Sequence, residues 1–130
     1  MAPPARVAPP GIDIAALEAA AAADPQDADI RLRLGWAYYG SRVLARAESA
    51  FREARRLLPD DPEPPFALGL THKKEGRSEE AVTAFRAAAE RTSHLKDKGR
   101  AAILRRLSLG HINYLERGEW DLEREVWGRA

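Results

Sequence analysis

Apolar and small residues recur along this chain at helical spacing, and no alternating β-branched run predicts a strand. Leu34, Gly35 and Tyr38 share one helical face, while Ala47, Phe51 and Ala54 share a face of the segment that follows. Most of the set returns at one constant interval: Leu34 as Leu68, Gly35 as Gly69, Ala47 as Ala81, Phe51 as Phe85 and Ala54 as Ala88. A fixed-period self-match of this kind predicts stacked copies of one small unit. Small side chains at Gly35 and Ala47 let two antiparallel helices approach closely, and Phe51 fills the space beside them.

The same pattern places the remaining elements. A first helix is predicted over 12–23, with Leu17 and Ala20 on its buried side and Asp24-Pro25 ending it. Leu17, Ala20 and Pro25 lie one full period before Phe51, Ala54 and Pro59, so this helix reads as the second half of an incomplete earlier repeat. Its expected role is to cover the exposed end of the stack. Its alanines favour helix but bury little area. Helices at 28–41 and 44–57 form a first pair with Ser41-Arg42 at the turn. A stiff connector, PDDPEPP over 59–65, leads to a second pair at 63–75 and 78–93, broken at Gly76. Ser78 followed by Glu79 and Glu80 reads as a helix N-cap with acids in the first turn.

The third unit breaks the period. Leu109-Gly110 arrives seven residues later than strict repetition requires. Seven residues are about two helical turns, so the apolar face stays in phase. A polar hinge over 93–100 containing Gly99 precedes a helix at 100–116. Gly118, Trp120 and Trp127 then have the spacing of a turn and a second helix.

These residues resemble the tetratricopeptide repeat, a helix–turn–helix unit of about 34 residues. Residues 28–61 carry the resemblance through Ala28, Leu34, Gly35, Ala37, Tyr38, Tyr39, Ala47, Phe51, Ala54, Leu57 and Pro59. Residues 62–95 carry it through Leu68, Gly69, Gly76, Ala81, Phe85 and Ala88. Arg31 and Pro65 stand where the family favours Trp, His72 where it favours Tyr, and Ser93 where a repeat-ending Pro is usual. The resemblance implies an all-α, right-handed solenoid of antiparallel helix pairs. Its parts would be a capping helix (12–25), two full repeats (28–61 and 62–95) and a degenerate third repeat (96–130), forming one domain after a proline-rich start (1–11).

Composition supports this organisation. The chain has 130 residues, 45% hydrophobic and 32% charged, enough for one domain with a continuous core. It contains no cysteine, which removes disulfides and cysteine-type zinc sites. No apolar stretch approaches the roughly 20 residues of a membrane span. The start, MAPPARVAPPG, lacks the apolar middle of a signal peptide and reads as a disordered, cytoplasmic segment.

Candidate chemistry is mostly that of binding. In the resembling family the first helix of each pair lines a concave groove. The residues expected to face it are Leu32, Trp36 and Tyr39, then Phe66, Leu70, Lys73 and Lys74, and in the third unit His111 and Tyr114. Such a surface suits an amphipathic helix or an extended apolar peptide of a protein partner, with the lysines selecting acidic flanks. A competing reading has Trp36 and Phe66 packing inside the chain. The carboxylate clamp by which some family members hold chaperone tails would fall on Leu32, Trp36 and Ala67, none of which matches. Trp120, Leu122, Val126 and Trp127 predict an uncovered apolar end, suited to a homodimer contact.

The other function classes are weaker. His72, His94 and His111 form no ligand pair at helical spacing, so neither metal nor cofactor is expected, and nothing points to an enzyme. The segment GLTHKKEG lacks the Gly-Lys-Ser/Thr ending of a phosphate loop. Arg86, Arg91, Lys96, Lys98, Arg100, Arg105 and Arg106 make 86–106 basic, but the net charge is only +1, and a salt-bridged face explains the cluster better than nucleic acid does.

Overall fold

The computed structural model describes residues 13–122. The proline-rich start, Val126 and Trp127 lie outside the described residues. The elements are α1 (Ile14–Ala23), α2 (Ala28–Gly40), α3 (Leu44–Leu57), α4 (Glu63–Lys74), α5 (Ser78–Arg91), a 3-10 turn (Thr92–His94) and α6 (Lys98–Arg117). No strand occurs among the described residues. Successive helices pack on one another: α2 against α3, α4 against α5, with α3 joining the two pairs and α6 laid on α5.

Local chemistry explains where the helices begin. Asp13, Asp27 and Asp97 cap α1, α2 and α6 by accepting the backbone N–H of Ala16, Ile30 and Arg100 at 3.1, 3.2 and 3.0 Å. In α4, Pro64 and Pro65 occupy the first turn, where no amide is required, and Asp61 accepts the Glu63 N–H at 2.8 Å. Ser78 does not act as the expected cap. It is the first helical residue of α5, preceded by Arg77, which makes no side-chain capping bond. Nor is Gly99 part of a hinge, because the Asp97 cap starts α6 at Lys98.

The turns within pairs repeat the period. Val43 N–H donates to the Tyr38 carbonyl at 2.9 Å, and at the equivalent place in the second pair Arg77 N–H donates to the His72 carbonyl at the same distance. The left-handed position is Gly76 (φ 76°) in the second pair and Gly118 (φ 77°) after α6. In the first pair it is Arg42, at φ 63°, a conformation that strains a residue with a Cβ.

Close approach of paired helices sets the core. A Cβ added to Gly35 would lie 2.5 Å from the Phe51 ring, and one added to Gly69 would lie 2.7 Å from the Phe85 ring. Both rings are fully buried. A first cluster joins Leu32, Leu34, Tyr38, Phe51, Ala54 and Leu68, and a second joins Ala81, Val82, Phe85 and Ile112. Helix α1 covers the first: Ala21 is buried, Ile14 and Leu17 pack on the cluster, and Glu18 accepts the Tyr38 hydroxyl and approaches Arg46 at 3.5 Å. In the third unit Gly110 meets Trp120 and Leu122, at 2.8 and 2.7 Å from a hypothetical Cβ. The chain reaches them through the Gly118 turn.

Gly35→Ala should therefore lose about 1–3 kcal/mol, because an immobile buried ring must shift. Gly40→Ala, at an open site in the same helix, should gain about 0.5–1 kcal/mol. Relieving the left-handed strain with Arg42→Gly should stabilise by about 1 kcal/mol. Urea midpoints of the three variants check all of this. Equal loss in both glycine variants would remove the close-contact explanation.

Candidate functional site

One face of α2, α4 and α6 brings together most residues expected of a binding surface. Helical spacing sets Trp36 and Tyr39 on α2, Phe66, Leu70 and Lys73 on α4, and Leu107, His111 and Tyr114 on α6 in register. Contacts between the helices support the alignment. Trp36 Nε1 donates to Glu63 Oε2 of α4 at 3.0 Å, and Arg100 of α6 donates to Glu63 Oε1 at 2.8 Å. One carboxylate thus links three helices, with each oxygen used once.

The aromatic residues of this face stand on the core rings. Trp36 meets Phe51 edge-on with centroids 4.9 Å apart, and Phe66 meets Phe85 at 5.6 Å. His111 stacks flat on Phe85 at 4.6 Å and receives Trp120 edge-on at 4.8 Å. Trp36 and Phe66 consequently pack against the core, as the competing reading expected, and keep a partly exposed edge. Leu32 is different. It is only 8% exposed and belongs to the first cluster, so the chain's own packing has taken it.

Two lysines define the charge at one end of this face. Lys74 Nζ lies 4.5 Å from the Tyr39 ring centre, and Lys73 Nζ lies 4.9 Å from that of Tyr114. Consecutive on α4, they diverge, one toward α2 and the other toward α6. Neither has an ion-pair carboxylate among the described residues. Lys73 Nζ also lies 3.1 Å from His111 Nδ1, which makes Nδ1 the acceptor and leaves the proton on Nε2. Burial, and then the Lys73 charge, lower the His111 pKa from 6.5 to about 4.

Some members of this surface are not read from the sequence. Ile103 is 60% exposed and, with Leu107, continues the strip of Arg100, His111 and Tyr114 along α6. The seven-residue offset of the third unit hides them from a strict period. Glu63 and Arg100 were legible only as parts of the stiff connector and of a basic run. Trp120 and Leu122, expected as an uncovered end, instead pack on Gly110, though Trp120 remains 47% exposed.

Charge elsewhere is largely paired. Arg86 meets Glu116 at 2.9 Å, Arg100 meets Glu63 at 2.8 Å, and Arg105 donates to the Ala89 carbonyl at 3.5 Å, which breaks the 86–106 basic run into local contacts. A polar depression of about 720 Å³ lies away from the aromatic strip, lined by Arg52, Arg55, Arg56 and Arg91 together with Glu48 and Glu53. Its lining mixes these charges with Ala45 and Pro59, rather than being predominantly apolar as small-molecule sites are. Among the described residues no helix is long and apolar enough to cross a membrane.

No family model matches the chain. A 51-residue stretch is 47% identical to the cytochrome c-type biogenesis protein CycH of Rhizobium meliloti (strain 1021). That stretch is 39% of this chain and only 13% of CycH. The crystal structure of PcrH in complex with the chaperone binding region of PopD matches with a TM-score of 0.74 at 16% identity, over 79% of this chain and 75% of that one. The fold is tetratricopeptide-like. The expected all-α stack of antiparallel helix pairs is thereby found.

His111 gives this surface a measurable signature. Its folded pKa is below its ordinary 6.5, so the unfolded chain binds the proton more readily, and stability should fall as pH drops from 6.5 to about 4. NMR should show His111 titrating near 4. Lys73→Met should raise that midpoint only partway, because burial is the larger cause, and His111→Phe should flatten this part of the stability profile.

Proposed function

We propose that this chain is a non-catalytic protein-interaction module whose α2–α4–α6 face is a groove for an apolar helix or extended segment of a partner, flanked by acidic residues. The observation that carries this reading is the set of Trp36 and Tyr39, Phe66 and Leu70, and Ile103, Leu107 and Tyr114, which helical spacing puts on one face of α2, α4 and α6, with Lys73 and Lys74 left without carboxylate partners among the described residues. Aromatic edges fixed on a packed core provide contact area with little ordering on binding. The lysines supply the complementary charge. At the other end Arg100 neutralises Glu63, so the field of the groove favours acid near the lysines.

The PcrH match supports the reading at the level of architecture, since that protein was crystallised with a segment of another, PopD. The choice of groove residues belongs to this chain. Trp36 and Phe66 are poor positions at which to test it, because truncating either also opens the core. Ile103, Tyr114 and Lys74 are exposed and suit the purpose.

Peptides selected by phage display on the full chain should be apolar with acidic residues at one end. Ile103→Asp should weaken them by about tenfold or more in fluorescence anisotropy, equivalent to about 1.4 kcal/mol. A Lys73→Glu, Lys74→Glu double variant should lose the acidic peptides in particular. Selected peptides that bind both variants as they bind the unmodified chain would place recognition on another surface.

A further inference from the structure

A second cluster lies apart from the groove, where α3 meets the end of α4. Glu48 of α3, His72 of α4 and Glu75 at the α4 C-cap each present one ligand atom, and these atoms all lie within 4.8 Å of one another. His72 and Glu75 are one helical turn apart, with Nδ1 and Oε1 separated by 3.2 Å. Glu48 arrives from the preceding helix pair through the α3–α4 contact. All three side chains are largely buried, at 13%, 8% and 18% exposure for Glu48, His72 and Glu75.

From this geometry we propose that Glu48, His72 and Glu75 bind a divalent transition-metal ion of the zinc type. One imidazole and two carboxylates are ligands that zinc accepts, with water completing the tetrahedron. The position is already held by a cation. Arg77 Nη1 lies 3.4 Å from Glu48 and 3.7 Å from Glu75, longer than the 2.7–2.9 Å or so of a strong charge-assisted bond. The same guanidinium is held at 2.5 Å by Glu80, so it keeps a partner if a metal displaces it from the other two. Arg52 occupies only Oε1 of Glu48, at 2.6 Å, which leaves Oε2 for the ion.

Access is also present. A depression of about 420 Å³ opens beside His72 and is lined further by Arg52, Arg55, Glu79, Glu80 and Thr83. Metal bound here joins α3 of the first pair to α4 and its exit turn in the second, so it stiffens the junction between repeats. This proposal is independent of what the groove binds.

Isothermal titration of the full, chelator-treated chain with zinc chloride tests it, with magnesium chloride as the control. The expected result is one saturable zinc site, a zinc-dependent rise in Tm and no response to magnesium. Arg77→Gln should tighten binding, because the competing cation is gone. His72→Ala should abolish it, and Glu75→Gln, at a partly exposed helix cap, should abolish it without opening the core. Absence of saturable binding in both the unmodified chain and Arg77→Gln overturns the proposal. So does unchanged binding in Glu75→Gln or in a folded His72→Ala.

Discussion

The contact between a glycine on one helix and an aromatic ring on its partner is the constraint on which this fold depends. Phe51 lies against Gly35, and Phe85 lies against Gly69, closer than any side chain at the glycine would permit. The contact fixes the spacing of each pair, which fixes the orientation of the first helix and hence the residues it presents. Gly110 repeats the arrangement against Trp120 and Leu122, a different aromatic reached from the other side of a turn. The third unit therefore diverges in sequence while keeping the physical rule of the first two.

The same rings support the candidate groove. Phe51 carries Trp36, and Phe85 carries both Phe66 and His111. A surface aromatic anchored in this way loses little conformational entropy when it binds, since its rotamer is already chosen by the core. If the proposed groove is the binding surface, the arrangement also couples stability to recognition. A change that loosens the Phe85 layer moves Phe66 and His111 together, whereas Ile103 and Tyr114 project from α6 without a comparable anchor.

How much of this was legible depends on sequence distance. The fixed period exposed the helix pairs because each pair contains its own glycine and ring, all within one repeat. Trp36, Tyr39, Phe66 and Leu70 followed from counting along one helix face. Leu32 was counted onto the same face but is buried, because counting cannot tell a residue on that face from one tilted under its neighbour. Ile103 and Leu107 were hidden by the offset of the third unit, and Ser78 was read as a cap one residue too late. Relations that span repeats were invisible: Glu63 with Trp36 and Arg100, and Glu48 with His72 and Glu75. Each joins residues whose proximity comes from stacking, and no local spacing encodes it.

Electrostatics then distinguishes the two ends of the α2–α4–α6 face. Glu63 accepts hydrogen bonds on both oxygens and is matched by Arg100, so its charge is spent inside the chain. His111, which burial and Lys73 keep neutral well below pH 6.5, adds no charge in the physiological range. What remains is the divergent pair Lys73 and Lys74, each lying over a tyrosine ring. The polarity of the face thus arises from subtraction as much as from placement. The acids and imidazole that could blur it are engaged by neighbours, and two cations are left to set the direction in which a partner's acidic end would lie.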